Sequence, residues 1–149
     1  MPTHEHLIAE NCASLEELRA YGDACSNADL QHPLAAGWTP AAGLAHIAFW
    51  DLRACALLAK WQQEGIGPST QDTDIINEAT RVPFLAIPPQ RALEIALSAG
   101  LAVNQAIATL STAQVAEIRE KGTTLHLNRA EHRRMHIADI REQMGKSSR

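Results

Sequence analysis

Residues 39–65 read TPAAGLAHIAFWDLRACALLAKWQQEG, and this stretch decides the fold. Thr39 can cap the free amides of a helix, and Pro40 suits the first helical position because its φ angle is preset. The apolar residues that precede Gly65 fill two stripes of a helix. The stripes consist of Leu44, Ala48, Leu52, Cys55 and Ala59, and of Ile47, Trp50, Ala54, Leu57 and Trp61. A helix that is apolar over so wide an arc is enclosed by neighbouring elements, so the stretch predicts a core helix.

Helical periodicity also dominates the rest of the chain. Three other main helices are predicted at residues 3–25, 90–110 and 128–144, with Gly145 as the stop of the last one. A long irregular loop at residues 65–89 separates the second main helix from the third and contains a short helix at about residues 74–80. Four main helices without an internal repeat predict an all-α protein, a four-helix bundle that forms a single domain over residues 1–149.

The composition excludes several classes of protein. The 149 residues carry a formal net charge of −4, and their 13 Lys and Arg residues are spread along the chain, which argues against a nucleic-acid partner. Hydrophobic residues make up 46% of the chain, too many for an intrinsically disordered protein. The N-terminal residues lack an export signal, and the uncharged run at residues 95–116 is too polar for a membrane span. We therefore expect a cytoplasmic protein with no membrane partner.

The last main helix contains a pair of histidines with metal-ligand spacing. His132 and His136 are four residues apart, so both imidazoles project from one face of the helix. The helix face that carries the two histidines also carries Ile140 and none of the arginines Arg133, Arg134 and Arg141. We therefore expect this face, and not the arginines, to point inward. Because an inward imidazole without a partner is costly, something must satisfy the ring nitrogens. A metal ion could do so, and so could backbone carbonyls or Asn128.

A third inward histidine lies in the core helix. His46 precedes Trp50 by one turn, and a lone histidine in such a position is usually a satisfied core residue. Together with His132 and His136 it would form a three-histidine site with open coordination positions, which suits catalysis better than a structural role. The other histidines are expected to be solvated or exposed, and they are His4, His6, His32 and His126.

Three segments resemble those of a known family. Residues 37–47 (GWTPAAGLAHI) and 128–140 (NRAEHRRMHIADI) are similar to the second and last helices of DinB-like proteins, the DinB/YfiT superfamily, and residues 74–78 (DIINE) resemble its Asn-containing middle segment. The resemblance covers nearly the whole chain in order and length. It implies a four-helix bundle, often a homodimer, that binds a divalent metal, typically nickel or zinc. The ligands that it implies here are His46, His132 and His136.

The resemblance also suggests a reaction class. Some members are transferases or isomerases that depend on mycothiol, bacillithiol or glutathione. We therefore predict a metal-dependent enzyme that uses a low-molecular-weight thiol and acts on a small-molecule substrate, in a pocket walled by Trp38 or Trp50 and covered by the loop around Asn77. Two alternatives stay open, a hydrolase in which the metal activates water and a non-enzymatic bundle that binds a metal or a small ligand. The catalytic and thiol-binding residues are not predicted.

Two further expectations concern the surroundings of the site. Asp139 lies one turn past His136 and could orient that imidazole by accepting its second N–H, whereas Glu131 points about 100° away around the helix. A direct bond from Asp139 to the metal would instead close the site and indicate a structural metal. We also expect a homodimer, formed through faces of the second and third main helices that the core does not use.

Overall fold

The computed structural model describes residues 1–121 and 124–147, and these residues form seven α-helices, one 3-10 turn at Ala35–Gly37 and no strand. The prediction of an all-α protein is therefore confirmed. The helices are α1 (His4–Ala24), α2 (Asn27–Leu30), α3 (Pro40–Glu64), α4 (Thr73–Leu85), α5 (Pro89–Ala108), α6 (Thr112–Glu120) and α7 (Arg129–Ser147).

Helix α3 begins where the sequence predicts. The Thr39 hydroxyl accepts a hydrogen bond from the Ala42 amide at 3.1 Å, and Pro40 occupies the first helical position. The stripe that begins at Ile47 is buried or half-buried along its whole length, whereas in the other stripe Leu52 and Ala59 are exposed and Cys55 is half-buried. By length and composition α3 could cross a membrane, but 61% of its most apolar window is buried inside the protein, as in a core helix.

The four long helices pack in a ring. Helix α3 contacts α5, α5 contacts α1, α1 contacts α7, and α7 returns to α3. The approach of α1 to α5 depends on Gly100, because a Cβ atom there would lie 2.5 Å from Leu15 Cδ1. This ring places α3 and α7, which carry the histidines, side by side.

Several element boundaries differ from those predicted. The long loop between the second and third main helices is instead largely helical, because α4 extends to Leu85. Pro83 lies in its last turn, which tightens so that the Ala86 amide donates to the Pro83 carbonyl. Gly145 does not end α7, which continues to Ser147. The uncharged run at 95–116 is divided between α5 and α6, which meet at 104°.

Candidate metal centre

The structure brings His46, His132 and His136 together between α3 and α7. His46 Nε2 lies 3.0 Å from His136 Nε2, which in turn lies 3.1 Å from His132 Nε2. Each residue offers one ring nitrogen to a group whose atoms all lie within 4.8 Å of one another. The three histidines that the sequence singles out therefore form a cluster that could hold a metal ion.

Hydrogen bonds between the rings cannot explain this geometry. An imidazole nitrogen has one in-plane position, which holds either a hydrogen or a lone pair. His136 Nε2 has two nitrogen neighbours and can form a well-directed hydrogen bond with only one of them. When two nitrogens bind one ion at about 2.05 Å and the N–metal–N angle is about 90–109°, the nitrogens lie about 2.9–3.3 Å apart. The observed separations fall in this interval, so the donor set fits a shared metal.

Burial favours the neutral form of the three imidazoles. Burial, followed by the charge of neighbouring His136, lowers the pKa of His46 to about 4. Burial also lowers the pKa of His132, and the charges of His136 and Arg129 act in the same direction. For His136 burial again lowers the pKa, while the carboxylate of Asp139 opposes the shift. Neutral rings are the form that binds a metal.

The partners expected for ordinary core histidines are absent from the described residues. Asn128 exchanges hydrogen bonds with Glu131, at 3.0 Å and 3.3 Å, and no described backbone carbonyl bonds to the clustered rings. The Nδ1 atom of His132 is buried and has no hydrogen-bond partner among the described residues. Asp139 accepts a hydrogen bond from Gln143 Nε2 at 2.9 Å, and its role in orienting His136 stays a prediction.

A buried ionic cluster that the sequence analysis missed fixes α7 against α3. Asp51 accepts from Arg129 Nε at 2.8 Å through one oxygen, and from Arg133 Nη2 at 3.0 Å through the other. Asp51 and Arg133 are completely buried, so the assumption that Arg133 lies outside the inward face of α7 is wrong. Because α7 packs against both α1 and α3, its interior side is wider than the histidine row.

Asn11 ties α1 to the same region. Its Oδ1 atom accepts the backbone amides of Arg129 and Ala130 at 2.9 Å and 3.1 Å, so it caps the first turn of α7. Its backbone carbonyl accepts from Arg133 Nη1 at 2.9 Å. Contacts from Asp51 on α3 and from Asn11 on α1 thus fix the first turn of α7. These contacts set the position of the histidine pair, which follows on the same helix.

Two pockets adjoin the histidine cluster, and both are lined by His46, His136 and Asn77. The Trp38 pocket has a volume of about 260 Å³ and also contains Asp139 in its wall. The Arg53 pocket has a volume of about 350 Å³. Its other lining residues are Trp50, Arg53, Gln71, Thr73, Thr124, Leu125, His126, Arg129, His132 and Met135.

The predicted pocket walls are therefore present, with one correction. Trp38 and Trp50 both meet the His46 ring edge-on, at centroid distances of 5.8 Å and 6.4 Å, and each lines one pocket. Asn77 lies on helix α4 and not on a loop, because the polar segment around it continues as helix to Leu85. Its Oδ1 atom accepts a hydrogen bond from Trp50 Nε1 at 3.1 Å, which joins α4 to α3.

The remaining histidines lie outside the cluster. His6 and His126 are exposed and His32 is half-buried. His4 is not solvated as expected, because its Nε2 atom lies 2.8 Å from the Ile107 carbonyl and the ring is half-buried.

Comparison with protein-family models, curated proteins and solved structures gives no match. The candidate site consequently rests on the geometry of its own residues. The resemblance to the DinB/YfiT superfamily stays a prediction.

Proposed function

We propose that this chain is a DinB-like four-helix-bundle enzyme that binds nickel or zinc and uses a low-molecular-weight thiol as a transferase or isomerase. The observation that carries the proposal is the convergence of three imidazole nitrogens beside two pockets, with His136 Nε2 at 3.0 Å from His46 Nε2 and at 3.1 Å from His132 Nε2. The ring formed by α1, α3, α5 and α7 is compatible with such a bundle.

The donor set suits this role. Imidazole nitrogen is a good ligand for both nickel and zinc, and three protein ligands leave room for an exogenous one. His46, His132 and His136 would hold the ion. When bound, the metal lowers the pKa of a coordinated thiol, so that a reactive thiolate is present at neutral pH.

The thiol has to come from outside the chain. None of the three cysteines belongs to the histidine cluster. Burial, followed by the charge of Asp51, raises the pKa of the Cys55 thiol, which makes it a poor nucleophile at neutral pH. A small thiol can instead enter through either adjoining pocket, while the electrophile occupies the other. Trp38 and Trp50 each meet the His46 ring edge-on and supply apolar surface beside it.

Spectroscopy of the cobalt-loaded protein tests the thiol requirement without knowledge of the electrophile. We expect glutathione or cysteine to produce a thiolate-to-cobalt charge-transfer band in the near ultraviolet, and we expect methionine to produce none. The His6→Ala variant should behave as the parent protein does, because His6 is exposed and outside the cluster. If the protein holds cobalt but no small thiol produces the band, the thiol-dependent function is wrong.

An activity assay completes the test. With glutathione and 1-chloro-2,4-dinitrobenzene, the thiolate sulfur forms a bond to the ring carbon, chloride leaves, and the thiol proton passes to the buffer. We expect the nickel- or zinc-loaded protein to accelerate this transfer and the metal-free protein not to do so. A charge-transfer band without turnover of this or other electrophiles would favour a binding protein over a transferase.

The proposal includes a homodimer in the cytoplasm. The exposed part of α3 includes Leu52, which is 48% exposed, and α5 presents Leu101, which is 53% exposed. An interface that covers these faces should bury more than about 1,000 Å² in total. We expect light scattering to give twice the 16.2 kDa chain mass, and Leu52→Glu to shift the protein towards the monomer. A monomer alone at micromolar concentration would contradict the prediction.

A further inference from the structure

The Arg53 pocket carries an excess of positive charge. Both carboxylate oxygens of Asp51 are used by Arg129 and Arg133, so one negative charge faces two positive ones. Arg53 adds a further positive charge, and among the described residues its Nη2 atom bonds to neutral oxygens, those of Ser69 at 2.6 Å and of Thr124 at 3.3 Å. Of these arginines Arg53 and Arg129 line the pocket, and Arg129 shares its one carboxylate partner with Arg133. No carboxylate occurs among the described residues that line the pocket.

Every described residue that has a buried side-chain atom without a hydrogen-bond partner lines this same pocket. These atoms are Gln71 Oε1, Arg129 Nη2 and His132 Nδ1, and all three residues line the pocket. Arg129 is only 6% exposed, so bulk water does not compensate its free N–H groups. An anionic oxygen that accepts a hydrogen bond from Arg129 Nη2 would satisfy Arg129, whereas Gln71 Oε1 would need a separate donor group on the same occupant.

The walls of the pocket favour an organic occupant. Trp50 and Met135 supply apolar surface, and the Arg53 guanidinium stands 5.8 Å from the centroid of the Trp50 ring. The volume of about 350 Å³ leaves room for a small carbon skeleton beyond the charged group. His46, His132 and His136 form another side of the pocket, so a molecule held by the arginines extends to the candidate metal centre.

We propose that the Arg53 pocket binds the carboxylate group of a small organic molecule through Arg129 Nη2 and the Arg53 guanidinium. Guanidinium groups recognise carboxylates through charge-assisted hydrogen bonds, and two arginines beside one pocket, one of them with the unpartnered Nη2 of Arg129, are a suitable receptor. That this molecule is the electrophilic substrate of the histidine site rests on the proposed function. The carboxylate site itself does not need a metal or a thiol.

Titration of the full-length, metal-free protein with benzoate tests this assignment, with amide NMR shifts as the readout. Benzamide has the same ring without the charge, and inorganic phosphate is an anion without the ring. We expect saturable binding of benzoate, with shifts at residues of the pocket, and much weaker binding of the other two probes. Equal binding of benzamide, or a preference for phosphate, would overturn the carboxylate assignment.

Substitutions locate the site without disturbing the buried ionic cluster. Arg53→Gln should weaken benzoate binding by about tenfold or more, because a charge-assisted contact is lost. Gln71→Glu should weaken it further by placing a like charge in the pocket. Arg91→Gln is the matched control, because Arg91 is an exposed arginine that pairs with Glu94 on α5. Unchanged binding in Arg53→Gln, or no binding of benzoate or acetate at millimolar concentration, would overturn the proposal.

A metal-loaded titration separates this inference from the proposed function. If benzoate binds the metal-free protein but no thiol produces the cobalt band, the carboxylate site stands and the thiol-dependent function fails. If benzoate binds only the zinc-loaded protein and Arg53→Gln has no effect, the metal holds the carboxylate and the arginine site is wrong.

Discussion

Asp51→Asn is expected to lower the free energy of unfolding by about 3–5 kcal/mol, the usual cost of removing one partner from a buried ion pair. The carboxylate of Asp51 is the only anion that pairs with Arg129 and Arg133 among the described residues. Without it, two buried guanidinium groups face each other across neutral oxygens. Burial already lowers the pKa of Arg133, and Asp51 opposes that shift. Urea denaturation, monitored by circular dichroism, measures the free energy of unfolding of the parent and variant proteins.

The matched control is Glu94→Gln, the same chemical change in an ion pair whose side chains are 64% and 65% exposed. Its effect should stay below about 1 kcal/mol, because solvent screens exposed pairs. The double variant Asp51→Asn, Arg129→Gln should recover part of the loss, since one of the uncompensated charges is removed. If Asp51→Asn proved as mild as Glu94→Gln, the buried cluster would not stabilise the fold in the way described.

His136→Ala is expected to weaken zinc or nickel binding by more than about 100-fold, beyond the effect typical of residues that only orient a ligand. His136 is the central member of the cluster, because its Nε2 atom neighbours those of both His46 and His132. Its loss leaves at most two ligands, which come from different helices. Competition with a metallochromic chelator gives the dissociation constants of the parent and variant proteins.

His6→Ala is the appropriate control for metal binding, since it removes an exposed imidazole from the same chain. Its dissociation constant should equal that of the parent within experimental error. His132→Ala should repeat the large loss seen for His136→Ala. A dissociation constant for His136→Ala within tenfold of the parent would show that the metal binds elsewhere.

The histidine cluster could be predicted from local spacing because one helix carries two of its members. His132 and His136 share a face by the geometry of the α-helix alone. The inward position of His46 could not be predicted from spacing. It was predicted because His46 lies in a helix that is apolar almost all round. Which ring nitrogen points to the common centre depends on how α3 and α7 cross, and no local pattern contains that information.

The buried ionic cluster could not be placed from the sequence by the same means. A helical wheel assumes one interior direction, and α7 has two, towards α1 and towards α3. Arg133 contacts both neighbours, Asn11 on α1 and Asp51 on α3, whereas the histidine pair meets His46 on α3. A signal was nevertheless present, because Asp51 interrupts the most apolar helix of the chain. A charge in such a helix requires a buried partner, and the arginines of α7 are the candidates that fit.

Helix α4, described over its whole length, contains no buried residue, although it supplies Asn77 to both pockets. Most of its thirteen positions therefore contribute little to the core, although the half-buried Phe84 packs against it. We expect most substitutions in α4 to leave the core of α1, α3, α5 and α7 and the histidine cluster in place. Laboratory evolution directed at residues 73–85 should consequently alter ligand preference with little loss of expression or folding. The architecture separates the helices that carry the histidine cluster from a helix that lines both adjoining pockets.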